Sequence, residues 1–520
     1  MSMFHSRFLP LTDFISRNAQ WYPDKAAIIF EGERLTWCDF SQRVNRVARY
    51  LIQSGVTKGD RVALINQNCL EYPEIMFGIL KSGGVLVPIS AMLKKETVLL
   101  ELQDAKPKAI FAGHPYLPLI KGSLTGSLNL AAACRILISG HAKGWTSYTS
   151  LAESGSAVDT EVSVSEEDSY NIIYSSGTTG IPKGIVHTHY ARLLFALTCG
   201  LEFRIHNEAI CIITTPIYSN GTQLTLIPTI MMGGTLVIMP AFDPLTFLKL
   251  VQNEKCTHAF MVPTQFIRIM AHPQFDSYDT SSVEMLLSAA APLRKETKIQ
   301  ILSKFPESKM AELYGVTEGI STVLRPNEQF AKLGSVGKPR LGGDIKIIND
   351  QGQELPPGEI GEIVGFNFSM MKGYHQNPEM TEEVMWHDPE GRQYLKTGDI
   401  GRLDSDGYLY ILDRKKDMII SGGMNIFPSD IEEVIMQHSE VAEAAVIGVP
   451  HQEWGETPLA LIVKRNPASA IKENDLKDWI NDKLAKYQRI AAVEFRPSLP
   501  KNDLEKILKK ELRESYWKTA

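Results

Sequence analysis

Short apolar runs alternate with amphipathic stretches of helical period through residues 12–320, and this alternation narrows the possible folds more than any other feature of the chain. Typical runs are Val62-Ala63-Leu64-Ile65, Ala109-Ile110-Phe111 and Thr235-Leu236-Val237-Ile238. Such a pattern indicates α/β layers with largely parallel sheets. From residue 334 to 412 the pattern changes to short strands and frequent turns, and we assign residues 320–412 to a small β-rich barrel subdomain.

With 520 residues, the chain exceeds the size at which a single hydrophobic core stops growing, so two or more domains are expected. We place the main boundary before Asp413-Arg414-Lys415-Lys416-Asp417, a polar run between two β-like segments, although such a run is most often a solvated surface. The predicted fold is α/β. A large N-terminal domain, residues 1–412, holds two parallel-type sheets and the barrel subdomain, and a small α+β domain follows in residues 413–520.

Composition excludes several classes of protein. The net charge of −6 argues against a nucleic-acid surface, and the 44% hydrophobic content is typical of a soluble globular protein. Six scattered cysteines without a C-x-x-C pair favour free thiols in a reducing compartment. The N-terminal residues contain no apolar signal-peptide core and the C-terminal residues are not a peroxisomal address, so a cytoplasmic location is expected.

One segment tests this interpretation, because residues 209–242 contain no charged side chain and are numerous enough to span a bilayer. Proline, glycine and asparagine interrupt the segment repeatedly. We therefore predict a strand, a loop, a helix and a second strand within an α/β core, and no transmembrane segment.

A glycine-rich and hydroxyl-rich loop with one lysine gives the first indication of function. It reads Tyr174-Ser175-Ser176-Gly177-Thr178-Thr179-Gly180-Ile181-Pro182-Lys183-Gly184, after a strand-like run from residue 171 and before a helix-like segment, residues 192–201. A loop in this position can turn its backbone N–H groups toward an anion. Pro182 and Gly184 break the Walker A pattern, and the Pro-Lys-Gly ending disfavours a mobile surface turn. The loop predicts a polyphosphate site.

Five further motifs follow in a fixed order. They are Glu312-Leu313-Tyr314-Gly315-Val316-Thr317-Glu318, Tyr394-Leu395-Lys396-Thr397-Gly398-Asp399, Asp413-Arg414-Lys415-Lys416-Asp417, Ser421-Gly422-Gly423-Met424-Asn425-Ile426-Phe427-Pro428 and Pro500-Lys501-Asn502-Asp503-Leu504-Glu505-Lys506-Ile507-Leu508. Together with the loop, this set resembles the adenylate-forming (AMP-binding) superfamily, which includes acyl- and aryl-CoA synthetases, luciferases and peptide-synthetase adenylation domains. The resemblance covers nearly the whole chain and favours the acid–CoA ligase branch.

The resemblance implies a two-step reaction with ATP, Mg²⁺ and coenzyme A. A carboxylic acid attacks the α-phosphate of ATP, pyrophosphate leaves, and a thiol then displaces AMP from the acyl adenylate. Charge must be neutralised at the α-phosphate, which magnesium and lysine can do. By resemblance Thr317 binds the α-phosphate, Glu318 holds Mg²⁺, and Lys506 bridges the incoming carboxylate and the α-phosphate.

The other site residues are also assigned by resemblance. The loop covers the β- and γ-phosphates, Tyr314 stacks near adenine, and Asp399 and Arg414 hold the ribose. The nucleotide set is Ser175, Ser176, Gly177, Thr178, Thr179, Gly180, Lys183, Ala290, Glu312, Leu313, Tyr314, Gly315, Thr317, Asp399, Ile411, Arg414 and Lys506. The acid-pocket set is Tyr218, Ser219, Asn220 and Val316. Gly422 and Gly423 line the passage for coenzyme A.

Lys506 and the phosphate loop lie in different predicted domains, so the two domains must close on each other for adenylation. The resemblance implies that the C-terminal domain then rotates about a hinge at Lys416 to present another face for thioester formation. Taken singly, each of these residues also has a purely structural interpretation. Tyr314 fits a core aromatic, Glu318 a helix N-terminal acid, Asp399 a turn residue and Lys506 a solvated lysine.

The chain departs from the family pattern at several places. Glu505 replaces the glycine that commonly precedes the lysine, and we expect it to raise the pKa of Lys506 or to change the loop geometry. Asn502 replaces a threonine, and Ala289-Ala290 replace two glycines near adenine. The substrate loop Pro216-Ile217-Tyr218-Ser219-Asn220-Gly221 lacks the usual histidine, which indicates a non-standard acid pocket. For His187 and His189 we expect packing or hydrogen bonding, and no metal other than Mg²⁺.

The sequence therefore predicts an ATP-dependent acid–CoA ligase acting on a fatty or aryl acid. Two alternatives stay open: a stand-alone adenylation enzyme that loads a carrier-protein thiol, and a non-catalytic nucleotide-binding regulator. A luciferase-like oxygenase is a more distant third. The expected partners are small molecules, and the expected assembly is a monomer or homodimer.

Overall fold

The computed structural model describes residues 8–125, 128, 130–154, 157–160, 162–175, 182–502 and 505–517. These residues form two compact units. The first comprises the described residues up to 333 together with 339–344 and 366–385, and the second comprises 334–338, 345–365 and the described residues from 386 onward. This grouping differs from the predicted boundary at residue 413, which stays a prediction.

The first unit contains an eight-stranded sheet with mostly parallel neighbours. In spatial order its strands are Gly373–Tyr374, Lys183–Thr188, Ser169–Ser175, Val85–Ile89, Arg61–Ile65, Ala109–Ala112, Arg135–Leu137 and Thr146–Ser147. The first two strands are antiparallel to their neighbours and the rest are parallel. All five residues of Val85–Ile89 are buried, as expected for a parallel strand covered on both faces.

A nine-stranded sheet lies mainly in the same unit. In spatial order its strands are Lys338–Pro339, Ser321–Leu324, Lys309–Gly315, Met285–Ser288, His258–Met261, Ile210–Ile213, Thr235–Ile238, Ala26–Phe30 and Glu33–Thr36. The six strands from Lys309–Gly315 to Ala26–Phe30 run parallel. The predicted layered α/β fold is confirmed.

Helices of the first unit pack on these sheets. The α-helices are Leu11–Trp21, Trp37–Gln53, Glu71–Lys81, Lys95–Ala105, Leu117–Thr125, Tyr148–Ser154, His189–Phe203, Gln223–Met232, Pro244–Glu254, Pro263–Met270, Lys295–Lys304 and Pro378–Glu383, and the 3₁₀ turns are His114–Tyr116, Ala132–Cys134, Phe275–Ser277 and Pro326–Glu328. Helix Trp37–Gln53 begins with a reciprocal capping box between Thr36 and Asp39. Such a cap stabilises a helix by about 1 kcal/mol.

The uncharged segment, residues 209–242, folds as predicted. Strand Ile210–Ile213, helix Gln223–Met232 and strand Thr235–Ile238 occupy it, and their side chains are almost entirely buried in the first unit. Among the described residues, no helix is both long and apolar enough to cross a membrane.

Most of the two remaining sheets belongs to the second unit. One has strands Gly343–Ile348, Gly361–Asn367, Gln393–Leu403 and Met385–His387 in that order, with Leu409–Arg414 added beside Gln393–Leu403. It is the predicted β-rich subdomain in half-barrel form. The other sheet has Met424–Ile426, Ile419–Ser421, Gly455–Lys464 and Val441–His451, with Ala492–Phe495 beside Gly455–Lys464. Helices Pro428–Ile435, Glu473–Asn481 and Lys509–Trp517 and the 3₁₀ turn Lys486–Gln488 complete the predicted α+β domain.

Candidate active site

The nine-stranded sheet brings several predicted site segments to one edge. Strands Ile210–Ile213, Met285–Ser288 and Lys309–Gly315 run parallel, so the loops that follow them emerge on the same side. Those loops carry the predicted acid-pocket segment 216–221, Ala290, and the turn from Val316 to Glu318. In open α/β sheets this carboxyl edge is where ligands bind.

The phosphate loop connects two antiparallel strands in the other sheet. Ser175 at the end of Ser169–Ser175 lies opposite Lys183 at the start of Lys183–Thr188. The predicted nucleotide residues Ser176, Gly177, Thr178, Thr179 and Gly180 lie outside the described residues. The strand before the loop is anchored because the Tyr174 hydroxyl donates to Asp104 Oδ2 over 2.6 Å. Both ends of the loop are therefore fixed by the sheet.

Tyr374 lies between the phosphate-loop lysine and the predicted magnesium ligand. Its hydroxyl donates to Glu318 Oε1 over 2.9 Å, and Lys183 Nζ lies 5.3 Å from the centre of its ring. Burial, followed by the Glu318 charge, raises the pKa of Tyr374, so this phenol stays a donor at neutral pH. Sequence reasoning missed Tyr374, because a Gly-Tyr pair in a turn-rich region gives little signal of its place beside Lys183.

The backbone around Glu318 is also fixed. Val316 N–H donates to the Ile320 carbonyl over 3.0 Å, and Met371 N–H donates to the Glu318 carbonyl over 2.7 Å. Gly319 has a φ of 118°, and a Cβ there would lie 2.5 Å from Met370 Cα, so only glycine fits this turn. The predicted catalytic pair Thr317 and Glu318 is held on a rigid turn.

His187 holds Thr317 from the adjacent strand. Its Nε2 lies 2.8 Å from the Thr317 carbonyl, and its Nδ1 lies 3.1 Å from Arg192 Nη2. Because a guanidinium only donates, Nδ1 must accept and Nε2 carries the hydrogen that Thr317 accepts. Burial and the Arg192 charge lower the pKa of His187, which keeps the ring neutral. The expectation that this histidine serves in hydrogen bonding is confirmed.

The residues before this turn have buried partners. Glu312 forms a 2.8 Å ion pair with Lys298, and the Leu313 side chain is buried. Tyr314 is half-buried and Gly315 is exposed at the strand end. Strand pairing sets Ser288, two residues before Ala290, opposite Glu312. The roles of these five nucleotide-set residues, Ala290, Glu312, Leu313, Tyr314 and Gly315, stay predictions.

The predicted acid loop is held by buried polar side chains. Asn68 accepts from Ile217 N–H over 2.8 Å and donates to the Thr215 carbonyl over 3.1 Å, while Gln223 Nε2 donates to the Ile217 carbonyl over 2.6 Å. Tyr218 is buried, and Ser219 and Asn220 are half-buried. Asn220 Oδ1 accepts from Arg192 Nη2 over 2.9 Å. Arg192 was not predicted, although it is the only charged residue between positions 190 and 201.

In the second unit, strand pairing brings together the residues predicted to hold ribose. Asp399 lies opposite Arg414, and Asp399 Oδ1 lies 3.5 Å from Arg414 Nε. Asp399 is buried whereas the Arg414 side chain is 41% exposed, so the arginine retains donors for a ligand. Ile411 lies on the same strand, opposite Gly401.

Lys506 lies within electrostatic range of this pair. Burial and the Arg414 charge lower its pKa to about 8, against the opposing effects of Asp399 and Asp417. Of the two expected effects of Glu505, the raised pKa of Lys506 is wrong, and the changed loop geometry stays a prediction. The Glu505 carboxylate instead lies 3.3 Å from Lys501 Nζ, where it forms an exposed ion pair. Asn502 Oδ1 accepts from Lys506 N–H over 2.9 Å, which fits its expected place in a turn.

The predicted hinge and coenzyme A residues occupy turns in the second unit. The Lys416 carbonyl accepts from Arg513 Nη1 over 2.7 Å, and Asp417 pairs with Arg513 Nη2 at 2.5 Å. Gly422 and Gly423 join strands Ile419–Ser421 and Met424–Ile426 with φ values of 56° and 80°, a turn that favours two glycines. The hinge and coenzyme A roles stay predictions.

Two departures from the family pattern place side chains at left-handed positions. Glu505 has a φ of 59° and Ala290 a φ of 72°, where glycine is unstrained. We predict that Glu505→Gly and Ala290→Gly each raise the free energy of unfolding by up to about 1 kcal/mol, since the relieved strain exceeds the added entropy of the unfolded chain. Denaturant unfolding checks this. Ala289→Gly, at a neighbouring position with ordinary φ, serves as the matched control and should lower stability.

The donor set fits magnesium. Mg²⁺ is commonly held by one or two carboxylates together with substrate phosphates, and Glu318 with Lys183 nearby supplies such a setting. Among the described residues, no group of three or more His, Cys, Asp or Glu side chains is placed to hold a metal ion by itself.

Comparison with known proteins identifies the family. Residues 15–375 match the model of the AMP-binding enzyme family, and residues 430–506 match the AMP-binding enzyme C-terminal domain. Feruloyl-CoA synthase of Amycolatopsis sp is 32% identical over 96% of this chain and 98% of its own. The long-chain-fatty-acid–CoA ligase FadD13 of Mycobacterium tuberculosis is 33% identical over 94% of each chain. ATP-bound MatB from Rhodopseudomonas palustris matches in structure with a TM-score of 0.87, 28% identity, and coverage of 98% and 99%.

These matches define the class of protein. The chain belongs to the AMP-binding, adenylate-forming enzyme family, as the motif set predicted. Its relatives of similar length include ligases that join carboxylic acids to coenzyme A.

Proposed function

We propose that this protein is an ATP-dependent acid–CoA ligase. It converts a carboxylic acid and ATP to an acyl adenylate and pyrophosphate, and then transfers the acyl group to the thiol of coenzyme A with release of AMP. The acid is of the fatty or aryl type. Relatives named as acid–CoA ligases at 32% and 33% identity over almost the full chain support the class of reaction.

One observation carries the proposal. Tyr374 contacts Glu318 at 2.9 Å, with Lys183 5.3 Å from its ring, so the phosphate-loop lysine and the metal-binding carboxylate converge on one phenol. A nucleotide triphosphate with its divalent ion is a ligand that needs both a cation and a carboxylate at such a place. The pair supports binding of ATP together with Mg²⁺, and the relatives named as acid–CoA ligases support the reaction that follows.

Each group of residues has one part in the proposed reaction. When Mg²⁺ is bound by Glu318, it supplies charge neutralisation for the phosphates. Lys183 binds the departing pyrophosphate, and Thr317, fixed by His187, orients the α-phosphate. Asp399 accepts from the ribose hydroxyls beside Arg414. Lys506 donates to the carboxylate oxygen and the α-phosphate as the new bond forms, and Gly422 and Gly423 leave space for the pantetheine arm.

The proposal is tested by measuring pyrophosphate release with ATP, Mg²⁺ and a panel of acids, followed by detection of acyl-CoA after addition of coenzyme A. Release with at least one acid and formation of its thioester are expected. An adenylate that accumulates without thioester would favour a carrier-protein thiol as acceptor. ATP binding without release for any acid would favour a nucleotide-binding regulator.

We predict that kcat/KM for adenylation falls as pH rises above about 8. The pKa of Lys506 is lowered to about 8, so its cation is complete below that pH and is lost above it. Arginine stays protonated, so the alkaline decline should be absent from Lys506→Arg even if its rate is lower. An unchanged decline in that variant would assign the titration to another group.

A cytoplasmic location also remains a prediction.

A further inference from the structure

A narrow cavity in the first unit carries polar groups, and all of these except Tyr218 have no part in the proposed reaction. Its polar lining consists of Tyr72, Tyr170, Asn171, Arg192, Tyr218 and Gln223, and the other lining residues are apolar. About one water molecule fits in it as it stands. Half of the lining residues are polar although most of the lining surface is apolar, and an end group larger than water enters only when the wall side chains move apart.

Arg192 is the charged member of this lining. It is 2% exposed, and its Nε donates to Asn171 Oδ1 over 2.9 Å. Among the described residues, no Asp or Glu side chain lies within 4.0 Å of its guanidinium. Burial lowers the pKa of Arg192 to about 10, so it remains a cation at neutral pH. A buried cation without a counter-charge is unfavourable unless a ligand supplies one.

Three neighbouring polar atoms lack partners. The hydroxyls of Tyr72 and Tyr170 and the Oε1 atom of Gln223 are buried without a hydrogen bond to any described residue. Tyr72 and Tyr170 are 1% and 2% exposed. Most buried polar groups in folded proteins are partnered, so the two phenol hydroxyls point to an absent acceptor, whereas Gln223 Oε1 needs a donor that a carboxylate does not supply. Two phenol donors and a guanidinium together match the acceptors of a carboxylate.

The cavity borders the predicted acid loop. Tyr218 lines the cavity, and Asn220, two residues further along the same loop, accepts from Arg192 over 2.9 Å. Both residues belong to the acid-pocket set assigned by resemblance, and both follow strand Ile210–Ile213. The cavity is thus placed to receive the part of the acid that does not react.

We propose that this cavity binds a second carboxylate of the acid substrate and that Arg192 is the residue that selects for it. The preferred substrates are dicarboxylic acids, of which one carboxylate is activated and the other pairs with Arg192. This inference rests on the proposed function, since it concerns the acid of that same reaction. A simple fatty acid leaves the guanidinium without a counter-charge and the two phenols without acceptors.

The experiment compares acids in pairs. A series of α,ω-dicarboxylic acids of increasing length, and benzoic acids bearing a second carboxylate, are each assayed against the monocarboxylic acid of the same carbon skeleton. Pyrophosphate release gives kcat and KM, and titration calorimetry without ATP gives binding. The wild-type enzyme should favour at least one dicarboxylic acid over its monocarboxylic partner by roughly 100-fold in kcat/KM, as expected for a charged hydrogen-bonded pair.

Variants separate recognition from a structural role. Arg192→Met should abolish the preference, chiefly through KM for the dicarboxylic acid, and Arg192→Lys should retain part of it. Tyr72→Phe and Tyr170→Phe should each reduce the preference by about 10-fold, and neither hydroxyl has a described hydrogen-bond partner whose loss would disturb the fold. Tyr50→Phe removes a hydroxyl that donates to the Ala133 carbonyl elsewhere, and it should leave the preference unchanged.

Each other outcome has a definite meaning. Equal loss of kcat for both kinds of acid in Arg192→Met, with the preference retained, would show that Arg192 only positions His187 and would overturn the inference. Preference for monocarboxylic acids in the wild type would overturn it while leaving the ligase function intact. Calorimetric binding of a dicarboxylic acid without pyrophosphate release would support the pocket and contradict the proposed reaction.

Discussion

Lys506→Ala is expected to reduce acyl-adenylate formation by several orders of magnitude while thioester formation from a supplied acyl adenylate is largely retained. The reason is electrostatic. A cation that faces the α-phosphate and the incoming carboxylate stabilises charge that exists only during the first step, and even a single such donor is worth roughly 10²- to 10³-fold in rate. Thioester formation needs no charge at that place.

The two half-reactions are measured separately, adenylation by pyrophosphate release and thioester formation with synthetic acyl adenylate and coenzyme A. Lys510→Ala is the matched control, because this exposed lysine lies four positions away on helix Lys509–Trp517. It should leave both rates near the wild-type values. Equal loss of both half-reactions in Lys506→Ala would show that the lysine supports the fold of the second unit instead.

Lys298→Met is expected to lower the free energy of unfolding by about 3–5 kcal/mol, the usual cost of removing one partner from a buried ion pair. The side chains of Lys298 and Glu312 are 2% and 9% exposed, and their charged atoms lie 2.8 Å apart. Burial already raises the pKa of Glu312, and Lys298 opposes that effect. Without Lys298 the carboxylate is buried and unpaired.

The pH dependence of the stability of Lys298→Met follows from the raised pKa of Glu312. An unpaired buried Glu312 has a folded-state pKa above its unfolded value, so the variant is relatively more stable at low pH and loses stability as pH rises. Denaturant unfolding at several pH values tests this.

A matched control is Lys304→Met, which removes the exposed pair with Asp276 and should lower the free energy of unfolding by no more than about 1 kcal/mol. The double variant Lys298→Met with Glu312→Gln should recover much of the loss. A single-variant effect as small as that of Lys304→Met would contradict the account.

Sequence periodicity was sufficient for the fold because its signals are local. The apolar runs at Val62 and Thr235 became parallel strands, and the uncharged segment after Ala209 became a strand, a helix and a strand. The half-barrel was also recognisable from its turns. The boundary between the two compact units was harder to predict from sequence, because the grouping of residues depends on long-range strand pairings such as that of Asp399 with Arg414.

Candidate site residues could be proposed from sequence where a motif is contiguous, but their supporting residues come from distant strands and were missed. Thr317 and Glu318 share one motif, but their supports, His187 and Tyr374, lie far away in sequence and approach only through the sheet. Arg192 was missed for the same reason. The expected rise in the pKa of Lys506 failed because adjacency in sequence does not set the direction of a side chain, and the Glu505 carboxylate pairs with Lys501 instead.

Attack of the acid's own oxygen on the α-phosphate of ATP is tested by isotope transfer. The enzyme is incubated with ATP, Mg²⁺, coenzyme A and an acid labelled with heavy oxygen in its carboxylate, and the products are examined by mass spectrometry. Attack at the α-phosphate places one heavy oxygen in AMP and none in pyrophosphate. Heavy oxygen in inorganic phosphate together with formation of ADP would contradict it, since that result requires attack at the γ-phosphate.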